Sequence, residues 1–219
     1  MAAPACLRSA ALCGIVALCI HTAFGADPSG PTLVIPLRIH LLQSSNQPAV
    51  HTTLSTTDVH RVIGKVNGIW SQAGIRFEIE SIRSTRALPG AETNSRPDSR
   101  WLLTVVPPES QASNAFNVYY VKQMLPNGYW AGGAAFVKDT ASLRAVEGGI
   151  DEPLPRVTAH ELGHALGLNH RQNVTNLMAS GTTGTALNEE EIQTAWASAG
   201  WLRWIRKENA APGNSGRGH

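Results

Sequence analysis

Apolar side chains along this chain follow two rhythms. Val59, Val62, Ile63, Val66 and Ile69 recur at three- and four-residue intervals, which places them on one face of a helix. Ser55, Thr56, Thr57 and Asp58 supply capping groups just ahead of that stripe, and Gly74 supplies a stop. The period then changes to two. Ile75, Phe77 and Ile79 alternate with Arg76, Glu78 and Glu80, the mark of a half-buried strand. Residues 33–42 are rich in strand formers, although Pro36 implies an edge or an irregularity. Residues 101–106 and 116–121 read as further strands, and residues 88–99, with their Pro, Gly, Asn and Asp, as a loop. Later, Asn188-Glu189-Glu190-Glu191 has the form of a capping box. It opens a helix with Ile192, Ala195, Trp196 and Ala199 on one face, ended by Gly200.

The two ends of the chain read differently. Arg8, an apolar run over residues 10–20 and small residues around Ala23, Gly25 and Ala26 make residues 1–25 a cleavable export signal. The run is too short and interrupted to span a bilayer, so the expectation is a secreted or periplasmic protein with no stable membrane span. Residues 26–208 then form one domain, and residues 209–219 a flexible tail. All three cysteines (Cys6, Cys13 and Cys19) fall in the signal, which removes disulfides from the remainder. Eighteen Lys and Arg nearly balance sixteen Asp and Glu. Only Arg203, Arg206 and Lys207 lie near one another, so the basic stripe that a nucleic-acid partner requires is missing.

The chemistry is concentrated in His160-Glu161-Leu162-Gly163-His164-Ala165-Leu166-Gly167-Leu168-Asn169-His170. Positions i and i+4 share a helical face, so His160 and His164 turn two imidazoles toward one point. Gly167 lets the chain leave the helix, and His170 swings back as a third nitrogen ligand. Three histidines with an open fourth position make a catalytic Zn2+ site, and Glu161 is placed to act on a water there as general base. The prolines at 153 and 155 suit the first turn of this helix, with Asp151 or Glu152 near its positive end.

Together with Asn176-Leu177-Met178-Ala179-Ser180, this stretch resembles the extended zinc motif and Met-turn of the metzincin metallopeptidases. The eight-residue step from His170 to Met178 resembles the matrixin branch. The segment over residues 57–77, ending Asn-Gly-Ile-Trp-Ser-Gln-Ala-Gly-Ile-Arg-Phe, resembles small matrixin-like catalytic domains. The resemblance implies a zincin-like α+β fold: a twisted mixed β-sheet with a backing helix, an active-site helix and a C-terminal helix. It also implies that Met178 packs beneath the metal, and that the chain is a zinc endopeptidase acting on a peptide or protein substrate. The chain departs from the matrixin pattern at two places. Arg171 replaces the serine after the third histidine, and Ala179-Ser180-Gly181 replaces the proline after the Met-turn. Without a cysteine switch, restraint would fall to a partner inhibitor, to export itself, or to narrow specificity.

Residues 129–137 resemble, in order and small-residue content, the metzincin edge strand that pairs with extended substrate. Gly132, Gly133, Ala134 and Ala135 are the candidates for that contact, and the alternative is a hairpin whose glycines relieve crowding. Tyr119 and Tyr120 read as sheet packing. His40, His51 and His60 are too scattered to predict a second metal, and the acidic run at 147–152 has no calcium-loop spacing. Asn173-Val174-Thr175 fits a glycosylation sequon. The alternative function is an exported zinc-binding module that grips peptides with little or no turnover, suggested by Arg171 beside the third ligand.

Overall fold

The computed structural model describes residues 30–89, 98–202 and 204–208. The export signal, residues 90–97 of the expected loop, Arg203 and the tail from residue 209 lie outside the described residues. In chain order the elements are β1 (Thr32–Gln43), α1 (Thr56–Trp70), β2 (Ile75–Arg86), α2 (Ser99–Val105), β3 (Phe116–Val121), β4 (Gly128–Ala131), β5 (Ala134–Lys138), α3 (Pro153–Ala165), α4 (Glu189–Gly200) and β6 (Arg206–Glu208). The sheet is twisted and mixed, with strand order β2-β1-β3-β5-β4. β1, β2, β3 and β5 run parallel, whereas β4 is antiparallel to β5. The α+β expectation holds.

α1 forms as its pattern predicts. Ser55 accepts from the Asp58 backbone N–H while the Asp58 carboxylate accepts from the Ser55 N–H, a reciprocal cap worth about 1 kcal/mol. Val59, Val62, Ile63, Val66 and Ile69 are all buried against the sheet. The helix stops at Trp70, and a short 3-10 turn over Ser71–Ala73 carries the chain to Gly74. α4 also begins at a reciprocal box, Asn188 with Glu191.

Of the two readings of Pro36 the irregularity holds, and the strand reading of residues 101–106 is corrected. β1 lies between β2 and β3, so Pro36 is not on an edge. On the side of β1 away from β2, Pro36 falls between the stretch paired with β6 (Thr32, Leu33, Val34) and the stretch paired with β3 (from Leu37), so no strand residue is registered opposite it there. A register shift follows at once, between Leu37 and Arg38, which is the irregularity that proline signalled. Residues 101–106 are not a strand. Asp98 caps a helix by accepting from the Trp101 N–H, and Leu102 and Val105, three apart, bury one side of that short helix.

Apolar groups gather on both faces of the sheet. One cluster lies under α1, α3 and α4, with Phe116, Val118 and Tyr120 pointing into it; the other lies under α2, with Tyr119, Val121 and Phe136. β3 is therefore buried throughout, and both tyrosines are packing residues. Two polar contacts fasten α3 in place: Trp70 Nε1 donates to the Ala159 carbonyl at 3.3 Å, and Tyr120 Oη lies 3.1 Å from Thr158 Oγ1.

His40 sits fully buried on the second face, stacked on Tyr119 at 4.1 Å between ring centroids. Its ring nitrogens lie 3.0 Å from Thr85 Oγ1 and 3.3 Å from Asn117 Oδ1. Burial pushes its pKa down to about 4, partly offset by the Asn117 contact. The folded value lies below the unfolded one of about 6.5, so this contribution is complete above pH 6.5 and is lost as pH falls toward 4. Each unit of that shift corresponds to ~1.4 kcal/mol. Urea midpoints measured across this window should fall more steeply for the wild type than for His40→Gln; equal slopes would contradict this role.

Candidate metal centre

Helix α3 is buried along almost its whole length, from Leu154 to Gly163. It carries His160 and His164 one turn apart, with ring centroids 4.8 Å from each other. The helix closes in a Schellman turn: Leu168 N–H donates to the Gly163 carbonyl, and Gly167 N–H to the His164 carbonyl. Gly167 takes φ +81, which a side chain would strain, and this reversal brings His170 back over the helix end. His170 Nε2 comes to 3.1 Å from His164 Nε2, and the ligand atoms of all three histidines lie within 4.8 Å of one another. Among the described residues this is the one group of three or more His, Cys, Asp or Glu able to hold a metal ion.

The tautomers suit a metal. His160 Nδ1 lies 2.8 Å from the Leu177 carbonyl, and His164 Nδ1 lies 2.8 Å from the Leu168 carbonyl. A carbonyl only accepts, so each Nδ1 carries the proton and each Nε2 presents a bare lone pair. Burial pushes His160 down to about 3 and lowers His164, which keeps both rings neutral and competent as ligands at neutral pH. Donor type, tautomer and convergence all fit a three-imidazole zinc site.

Residues 108–195 match the family model of the matrixins. Over that stretch the chain is similar to the matrixins, and its three-histidine cluster fits their zinc motif. Zinc is its metal, and zinc-dependent peptide hydrolysis its broad activity. Two solved structures share the matrixin-like fold. Archaemetzincin from Methanopyrus kandleri aligns with TM-score 0.52 at 13% identity, covering 75% of this chain and 94% of its own. Mirolysin, solved in complex with compound 9, aligns with TM-score 0.54 at 12% identity, covering 76% and 91%. No curated protein matches the sequence.

Beneath the histidines of this matrixin-like site lies the Met-turn. Met178 is fully buried, and a Cβ built on Gly163 would meet its Sδ at 2.6 Å. Only a glycine on the helix lets the methionine sit this close. Arg156, one turn before His160, ties the same loop to α3 by donating to the carbonyls of Gly184, Asn176 and Ala179. Its Nη1 also stands 3.3 Å from His160 Nδ1, where its charge opposes an imidazolium. Pattern reading missed this residue. An arginine at the start of a helix looks like solvated surface, and only the fold shows it 2% exposed.

Glu161 is 4% exposed at the floor of a cleft of about 810 Å³, lined also by Gly128, Trp130, Val157 and Leu143. Burial raises its pKa to about 8, opposed by the Arg156 guanidinium. A divalent cation on the imidazoles would add to that opposition. A Cβ on Gly128 would come within 2.4 Å of Glu161 Oε1 and 2.6 Å of Val157 Cγ1, so the start of β4 rests directly on this carboxylate. Gly128 was not legible beforehand, because its contact is with a residue 33 positions later in the chain.

The expected edge segment is corrected. Gly132 and Gly133, at φ +58 and +77, form a two-residue hairpin turn, and Ala134 and Ala135 lie on β5, an interior strand. On this side the described sheet ends at β4, whose Gly128 and Trp130 line the cleft. Arg171 does not line that cleft; its guanidinium donates to Glu190 and Glu191 on α4.

Gly163→Ala should force Met178 aside at a cost of about 1–3 kcal/mol and lower the melting temperature. Gly64→Ala, where an added Cβ meets nothing within 4 Å, should instead be neutral or stabilising by ~0.5–1 kcal/mol. Differential scanning calorimetry distinguishes them, and equal melting temperatures would contradict the close contact.

Proposed function

We propose that this matrixin-like protein is an exported zinc endopeptidase in which His160, His164 and His170 hold the metal and Glu161 is the general base. The observation that supports this most directly is the buried Glu161 carboxylate, next to one metal ligand, at the floor of a cleft bordered by a sheet edge. Zinc bound by the three imidazoles supplies Lewis acidity, acidifying water and polarising the scissile carbonyl. Glu161 takes a proton from the attacking water and passes it to the leaving amine. The packing of Gly128 and Val157 restricts the positions its carboxylate can take. Among the described residues no strand pairs with the outer side of β4, so its free N–H and C=O groups can hold an extended peptide antiparallel or parallel to it. Met178, packed on Gly163, supports the ligand helix without contributing a ligand.

Export rests on residues 1–25, and the protein recovered outside the cytoplasm should begin near Gly25 or Ala26 on N-terminal sequencing. Glu161→Ala should retain wild-type zinc content and lose turnover by roughly 100- to 10,000-fold on a diverse peptide library. Full activity in that variant would remove Glu161 from the mechanism. Zinc-loaded wild type that cuts nothing in the library would favour a peptide-gripping module. Gly128→Ala should lower kcat with zinc content unchanged, and an unaltered kcat would show that the carboxylate is not set by that contact.

A further inference from the structure

The three histidines are not held equally. Carbonyls fix the rings of His160 and His164 through Nδ1, and both residues sit on or beside the buried helix. His170 is exposed, lies beyond the helix, and among the described residues nothing hydrogen-bonds its Nδ1. Its position must come from the backbone that carries it. That backbone is anchored at the next residue: Arg171 N–H donates to the Met178 carbonyl at 3.0 Å, in a parallel bridge with Ala179. The Arg171 side chain makes a second anchor, with Nε donating to Glu191 Oε1 at 2.8 Å and Nη2 to Glu190 Oε2 at 3.1 Å.

Glu191 is an unusual partner for a residue whose side chain is partly exposed. It is 1% exposed, and its other oxygen accepts from Asn176 Nδ2 at 2.8 Å and from the Asn188 backbone N–H at 2.9 Å. Asn176 Oδ1 in turn accepts from Met178 N–H at 2.6 Å. The Glu191 carboxylate therefore connects three pieces: the loop after His170, the Met-turn, and the first turn of α4. Glu190 is largely exposed and contributes little by comparison.

We propose that Arg171 is a positioning residue for the metal centre, which fixes His170 by bridging its loop to the buried carboxylate of Glu191 beside the Met-turn. The inference rests on His170 being a zinc ligand. Groups that orient a ligand without touching the metal change affinity by about 10- to 100-fold when removed. Arg171→Met should weaken zinc binding by that factor in competition with a chromogenic chelator. Its cobalt-loaded form should show a weaker visible absorption band as the third nitrogen is lost. Arg171→Met alone leaves a buried carboxylate short of a partner, and its fold could suffer for that reason. Arg171→Met with Glu191→Gln removes the stranded charge. It should unfold near the wild-type temperature while still binding zinc at least about tenfold more weakly. Arg171→Lys, which keeps the charge but not the fork, should fold and fall between wild type and Arg171→Met; Glu190→Gln should bind as wild type.

Wild-type zinc affinity in the folded double variant, or in Arg171→Met, would overturn the inference and leave the zinc site standing. A wild-type chain that binds no zinc, or a His164→Ala chain that binds it equally well, would overturn the metal-site reading beneath it.

Discussion

Desolvation of α3 is the constraint from which the rest of the centre follows. A helix buried from Leu154 to Gly163 keeps water from most of its polar side chains, so Arg156, Thr158 and His160 find partners in the protein, while Glu161 faces the cleft. Arg156 finds three loop carbonyls, Thr158 finds Leu154 and Tyr120, and His160 finds Leu177. Those partners are the Met-turn loop on one side and β3 on the other. The bonds that relieve burial are thus the bonds that fix the metal ligands, and stability and function share the same atoms.

Burial also sets the protonation states. The imidazole of His160 is held neutral, as metal binding requires, while the Glu161 carboxyl beside it is pushed up. Neighbouring residues on one helix thereby resist charge in the same dry surroundings, with opposite consequences for proton binding. Arg156 is the cation beside both groups, reinforcing the effect of burial on His160 and opposing it on Glu161. Its lack of a hydrogen-bonded carboxylate leaves its charge available to the site.

What could be read beforehand was what local chemistry dictates. The capping groups at Ser55, the capping box at Asn188, the stripe from Val59 to Ile69, the strand β3 and the HExxH spacing with its glycine exit all lie within a few turns of chain. The misread places turned on burial and backbone conformation that the pattern of residue types leaves open. Residues 101–106 carry apolar groups compatible with either period, and the Asp98 cap and burial of Leu102 and Val105 decided for helix. Gly132 and Gly133 were taken with the alanines after them, whereas two consecutive positive φ angles turn the chain there and leave β4 at the edge. Gly128, Arg156 and Glu191 acquire their roles only from groups brought near by folding. Arg171 stood out in the sequence as a departure from the matrixin serine, and its partner 20 residues later gives that departure a physical sense.

The account stands or falls on three imidazoles and no fourth protein ligand around zinc. X-ray absorption of the zinc-loaded protein tests that directly. It should show about three imidazole nitrogens at ~2.0–2.1 Å, with multiple-scattering features from the rings, and one further light-atom ligand from solvent. A shell with four imidazoles, or one in which His170→Ala leaves the imidazole count unchanged, would contradict it.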